Sequence, residues 1–284
     1  MKINQISPLK HKYLQIVSNI AKCPNTLYYI GDLPDERMPT IAIVGTRKPT
    51  AYGREVTTQF AYELGAAGVV VVSGLALGVD AIAHKSCLDA GGTTIAVMPS
   101  SLTKIYPATN RDLAISILQK GGALLSEYNE EATNAFKGNF LARNRIVSGI
   151  SDAILITEAS ARSGTLNTAM HALEQGKDVF VIPGNITSPQ SAGCNLLIRQ
   201  GAIPVQTPTD ILERLAPQKI SERLLLGSNA DEAAILELLK QGSMSADAIA
   251  RNTGLGIQAV NTSLTMLEIA GSIIALGNNM WRRG

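Results

Sequence analysis

The residues best equipped for chemistry in this chain are cations set among rings. In AFKGNFLARNRIVSGIS (135–151), Lys137, Arg143 and Arg145 bring positive charge, with no acidic residue between Lys137 and Ser151. Phe136 and Phe140 are two of only four phenylalanines in the chain. Cations that track phosphates, interleaved with rings that stack on any base, suit a single-stranded nucleic-acid site. A second reading stays open: Phe140 and Ile146 belong to the core, and the two arginines pair with Glu127, Glu130 or Glu131.

Four further stretches supply polar, glycine-containing turns. IAIVGTRKPTAYG (41–53) runs into Gly45, Thr46 and Arg47 and fits neither G-x-G-x-x-G nor G-x-x-x-x-G-K-[ST]. VVVSGLALGVDAIAH brings Ser73 and Gly74, then Asp80 and His84. EASARSGTLNTA carries Arg162 ahead of Ser163, Gly164 and Thr165, a set that can place a helix N-terminus beside an anion. PGNITSPQSAGCN follows a later apolar run. Singly, each is explained by glycines that end strands and hydroxyls that cap helices. Together, aimed at one edge, they predict a rim for phosphates or a sugar-phosphate backbone. Asp80 and His84 lie four apart, but no third group is spaced to join them. Neither a catalytic residue nor a metal site is expected.

The elements that position these turns follow from the apolar runs IAIV (41–44), VVVV (69–72), TIAVM (94–98), ALLS (123–126), AILIT (153–157) and VFVIP (179–183). They do not alternate with polar residues, as befits parallel strands buried on both faces. Helical patterns such as EVTTQFAYELGAAG and GTLNTAMHALEQG lie between them. The expected fold class is α/β: an extended Rossmann-like, doubly wound, mostly parallel sheet. Residues 1–40 read as a short helical and edge segment, 41–218 as the Rossmann-like domain and 219–229 as a linker. Residues 230–284 read as three helices and a β-hairpin, a small C-terminal winged-helix domain. Its charges are Lys240, Arg251, Arg282 and Arg283 against Asp231, Glu232, Glu237, Asp247 and Glu268. That balance suits protein contact or dimerisation better than duplex reading.

Composition narrows the class. The chain has 284 residues, 45% hydrophobic, with 25 glycines and a net charge of +2, so nucleic-acid binding calls for a local patch. Cys23, Cys87 and Cys194 are far apart and form no C-x-x-C pair. The N-terminus has no apolar leader, and no run of eighteen apolar residues occurs, so a cytoplasmic location without membrane contact is expected.

The blocks IVGTRKPTAYG, VVVSGLALGVDAIAHKSCLDAGGTTIAVMPSSLTKIYPATN, GALLSEY, NFLARNRIVSGIS and SGTLNTAMHALEQGKDVFVIPGNITSPQSAGCNLLIRQGA resemble, in order, the DNA-processing protein A family (DprA, also called Smf). The resemblance spans about residues 8–215 by motif order, and the last segment is similar to the family's winged-helix domain. It implies base-independent binding of single-stranded DNA, protection of incoming strands in natural transformation, loading of the RecA recombinase and a homodimer. It implies no cofactor and no catalytic turnover, hence no enzyme. Carried over, Gly45-Thr46-Arg47 seats a backbone phosphate, Arg143-Asn144-Arg145 is the basic block with Phe140 beside it, and Ser73-Gly74 and Ser163-Gly164-Thr165 are the family's turns. Leu141 stands where many members have proline, and Arg162 where many have lysine. The stretch after SEY, usually proline-rich, is NEEATNAFKG, and the N-terminal module of some members is not expected. The alternative is a nucleoside-monophosphate hydrolase of the lysine-decarboxylase-like fold. Its P-G-G-x-G-T-x-x-E block contrasts with SARSGTLNTA, where no glutamate occurs until Glu174.

Overall fold

The structure, a computed structural model, describes residues 2–129, 137–218 and 229–283; the Lys137 side chain lies outside the described residues, as do Phe136, Glu130 and Glu131. The chain divides into two compact units, Met1–Ala216 and Pro217–Gly284. Of the linker expected at 219–229, all but the last residue lies outside the described residues.

The first unit is built on a nine-stranded sheet of order β1-β2-β6-β5-β4-β3-β7-β8-β9. The apolar runs become β3 (Thr40–Val44), β4 (Val70–Ser73), β5 (Thr94–Val97), β6 (Ala123–Ser126), β7 (Ala153–Ile156) and β8 (Asp178–Val181), all parallel. The two-residue β9 (Ile203–Pro204) extends one edge, parallel to β8. At the other edge β2 (Leu27–Gly31) pairs antiparallel with β6, and β1 (Asn4–Ile6) with β2. The first forty residues therefore belong to this unit: Tyr13, Leu14 and Val17 are fully buried in its core.

Helices cover both faces of the sheet. Ile95 and Val97 share a core cluster with Ile146, Val147 and Ile150 of α4 (Lys137–Ile150). Ala96 and Met98 pack with Leu88 of α2 (Val79–Asp89) and Ile117 of α3 (Arg111–Gln119). Alternate residues of one strand thus serve opposite faces, which is why the runs carry no polar alternation. The other helices are α1 (Ala51–Ala66), α5 (Thr165–Glu174), α6 (Ala192–Arg199) and α7 (Pro208–Leu215). From β3 the chain moves to β4 on one side and returns later to β7 on the other. This reversal at β3 is the switch point where open α/β sheets receive ligands.

The second unit has helices α8 (Ala230–Leu239), α9 (Ala246–Thr253) and α10 (Ile257–Ile269) around a small apolar core, the winged-helix arrangement. Its hairpin β11 (Ile273–Gly277) and β12 (Met280–Arg283) turns through Asn278 and Asn279, both at positive φ, which asparagine tolerates. A strand absent from the sequence reading, β10 (Met244–Ser245), pairs with β12; two residues are too few to show a period. No described helix is long and apolar enough to cross a membrane.

Candidate functional site

A cleft of about 490 Å³ opens at the carboxyl ends of β3, β4 and β7, walled on one side by α4. Its floor is the turn after β3, pinned from both sides. The Thr46 amide donates to the Glu158 carbonyl at 2.8 Å, and the Thr46 carbonyl accepts from the Val79 amide at 3.1 Å. The Thr46 hydroxyl accepts from the Lys48 amide at 3.2 Å. Gly78, at a φ of +78°, lies so close to the backbone of Thr46 and Arg47 that a Cβ there would collide with it. The Thr46 amide is therefore already committed and has no proton left for a phosphate. What the turn presents is the Arg47 side chain.

Arg47 is exposed and lies over the Phe140 ring, 5.5 Å from guanidinium carbon to centroid. Phe140 in turn meets Tyr106 edge-on, with centroids 5.5 Å apart and planes at 68°. Tyr106 is 45% exposed and lines the cleft and an adjoining notch formed with Leu77, Pro107 and Gly74. Cation, ring and ring form one continuous wall. Tyr106 was not picked out from the sequence; its signal was its place after β5, at the strand ends that matter in this fold.

Because 135–151 contains a helix, its cations part company. Residues two apart on a helix point about 200° away from each other. Arg143 faces the cleft and is 5% exposed, its guanidinium donating to the Gly74 carbonyl at 2.7 Å and to the Val97 carbonyl. It faces Asp80, which accepts from the Gly74 amide at 3.0 Å and more distantly from Ala76. Burial lowers the Arg143 pKa to about 10, so it stays cationic at neutral pH. Arg145 points the other way, bound to Glu127 at 2.6 Å. Arg145 thus follows the ion-pair reading through Glu127, whereas Arg143 is engaged by two carbonyls and faces Asp80, a partner that reading did not include. Asn144 reaches Asn167 on α5 at 3.4 Å and lines the cleft.

The remaining turns divide. Gly45, Ser163, Gly164 and Thr165 line the cleft. Ser73 does not: it is fully buried and its hydroxyl donates to the Ile43 carbonyl at 2.6 Å. Gly74 lines only the notch, and exposed Arg162 is not among the lining residues. The turn after β8 is also absent from the lining, so three of the four expected turns contribute, and the loop bearing Tyr106 takes the fourth place. His84 is buried and donates from Nδ1 to Thr94 at 2.6 Å, since the Thr94 hydroxyl is itself given to the Val71 carbonyl. Its Nε2 is unpartnered among the described residues, and burial holds its pKa down at about 3. A neutral, enclosed imidazole is a packing element here.

Glu158, just past β7, is 2% exposed. Its carboxylate accepts from the Thr50 amide at 2.8 Å and the Thr50 hydroxyl at 2.6 Å, at the start of α1. Thr50 in turn caps that helix by accepting from the Gly53 amide at 3.1 Å. Among the described residues no group of three or more His, Cys, Asp or Glu is placed to hold a metal ion.

Comparison with known proteins places this geometry. The model for the family described as DNA recombination-mediator protein A matches residues 4–216, and that for the DprA winged helix domain matches residues 216–279. Protein Smf of Escherichia coli is 38% identical over 263 residues, covering 89% of this chain and 70% of its own length. The structure of DNA processing protein A from Streptococcus pneumoniae superposes with a TM-score of 0.70 at 37% identity, covering 76% of this chain and 75% of that one. That of DNA processing protein A from Helicobacter pylori, described for its single-stranded DNA binding mode, gives 0.67 at 33% identity, covering 77% and 97%.

Proposed function

This chain belongs to the DNA recombination-mediator protein A family, and from that premise we propose that it binds single-stranded DNA without base preference in the cleft around Arg47. On the same reading it protects incoming strands and loads the RecA recombinase in natural transformation, as a cytoplasmic homodimer with no cofactor and no turnover of its own. The binding segment is the Rossmann-like part, residues 41–218, with 230–284 as a separate winged-helix domain.

The observation that carries this reading is Arg47 itself. It is an exposed cation at the cleft mouth, stacked on Phe140 and paired with no carboxylate among the described residues. A guanidinium so placed can fork onto one phosphate while the Tyr106 and Phe140 rings meet a neighbouring base. The rings offer π-faces and no hydrogen-bond code, which suits binding that ignores sequence. Gly45, Ser163, Gly164, Thr165 and Asn144 supply polar wall. Hydrolysis of a nucleotide finds less support. The cleft's carboxylate, Asp80, is committed to two amides and faces Arg143, and the Ser163-Gly164-Thr165 turn carries no acid beside it. Titration of labelled oligo-dT against duplex of equal length tests the proposal: preference for the single strand supports it, and equal affinity contradicts it.

A further inference from the structure

In a doubly wound sheet the helix after the first parallel strand of the switch point is where a phosphate is received. Its first amides lack helical partners and its dipole favours an anion. In this chain that place is taken by Glu158. The carboxylate holds both donors of Thr50, the N-cap of α1, and packs against Gly53 so closely that a Cβ there would collide with it. Glu158 arrives from β7, which pairs with β3 across the switch point, so its side chain bridges the crevice that nucleotides enter in related architectures. Its carbonyl also takes the Thr46 amide. The Thr46 amide and both donors of Thr50 are thus satisfied from within.

We propose that Glu158 is a specificity-determining residue: a resident carboxylate in the phosphate position that excludes free nucleoside phosphates and leaves the cleft to a strand. A free nucleotide bears a terminal phosphate with close to two negative charges, and to reach the α1 terminus it must displace a hydrogen-bonded carboxylate or lie against its charge. A strand bears singly charged diesters spread along its length. It needs only Arg47 and the outer wall, and gathers affinity from several contacts at once. The identity of the favoured ligand rests on the single-strand reading above; the exclusion of nucleotides does not.

The test measures dTMP binding by calorimetry, and displacement of labelled oligo-dT by dTMP, for wild-type protein and Glu158→Ala. Wild type is expected to hold oligo-dT undisturbed by dTMP. Glu158→Ala, with the Thr50 donors released and the charge gone, is expected to bind dTMP at least about tenfold more tightly and to yield its oligo-dT to it. A folded variant that gains no dTMP affinity overturns the proposal. So does wild-type protein from which dTMP displaces oligo-dT, a result that requires no variant. If Glu158→Ala fails to fold, Glu158→Gln, which keeps the shape and removes the charge, is measured in its place against the same two outcomes. Wild-type protein that binds no oligo-dT contradicts the proposed function instead, and the calorimetric comparison then judges Glu158 alone.

Discussion

Arg47 and Arg143 line the same cleft and answer to different partners. Arg47 leans on a ring and projects to solvent, whereas Arg143 is spent on two carbonyls and a buried carboxylate. Arg143→Ala is therefore expected to act on stability. It strands Asp80 and two carbonyls, at a cost of about 3–5 kcal/mol by urea unfolding. A loss of under about 1 kcal/mol, within the range of an ordinary surface change, would show that the anchoring is weak. Tyr106→Ala is expected to lose about 1–3 kcal/mol of single-strand affinity, with Tyr106→Phe near wild type because the ring face does the stacking. His84 adds a pH signature. Its folded pKa near 3 lies below the unfolded value near 6.5, so its contribution is complete above pH 6.5 and fades as pH falls toward 3. The slope is about 1.4 kcal/mol per pH unit at its steepest. Burial raises the Asp80 carboxyl, whose linkage runs the other way, so the effect of His84 is read as the difference from His84→Gln. An unchanged slope in that variant would contradict the assignment. The charges of the R-N-R block were legible in the sequence. That both are engaged, Arg143 by carbonyls and Arg145 by Glu127, was not, because that depends on helix phase and on groups contributed by distant strands.

At the scale of elements, α4 decides how the cleft is walled, and it is held at both margins. Arg143 ties it to the ends of β4 and β5, and Lys177 donates to the carbonyls of Ser148, Gly149 and Ser151 at its C-terminus. A cation on those carbonyls satisfies acceptors that the helix leaves open and meets the negative end of its dipole. Lys177→Ala is expected to cost about 2 kcal/mol of stability by urea unfolding, with a smaller fall in oligo-dT affinity as the wall loosens. An unaltered unfolding midpoint would refute that role. The central strands were readable because burial on both faces leaves unbroken apolar runs. β1 and β10 were not, and β2 was read only as part of an edge segment, since a short edge strand takes its identity from the strand it pairs with. The start of α1 at Ala51, four residues before the helical pattern read from Glu55, follows from the Thr50 cap, whose second partner is Glu158 from across the sheet.

At the scale of the molecule, a net charge of +2 gives no general attraction to nucleic acid, so binding must come from the cleft and fall steeply with salt as counterions are released. The two units carry separate cores, and residues 230–284 offer five acidic residues against four basic ones. Removing residues 217–284 is expected to leave oligo-dT affinity and its salt dependence unchanged; loss of binding would move the site to the winged helix. The central claim is most directly tested by the salt dependence of oligo-dT binding for wild type and Arg47→Ala. The expected result is a loss of about 1–3 kcal/mol with a log–log salt slope shallower by about 0.7, the share of one single-strand phosphate. Identical affinity and slope for the two proteins would contradict it.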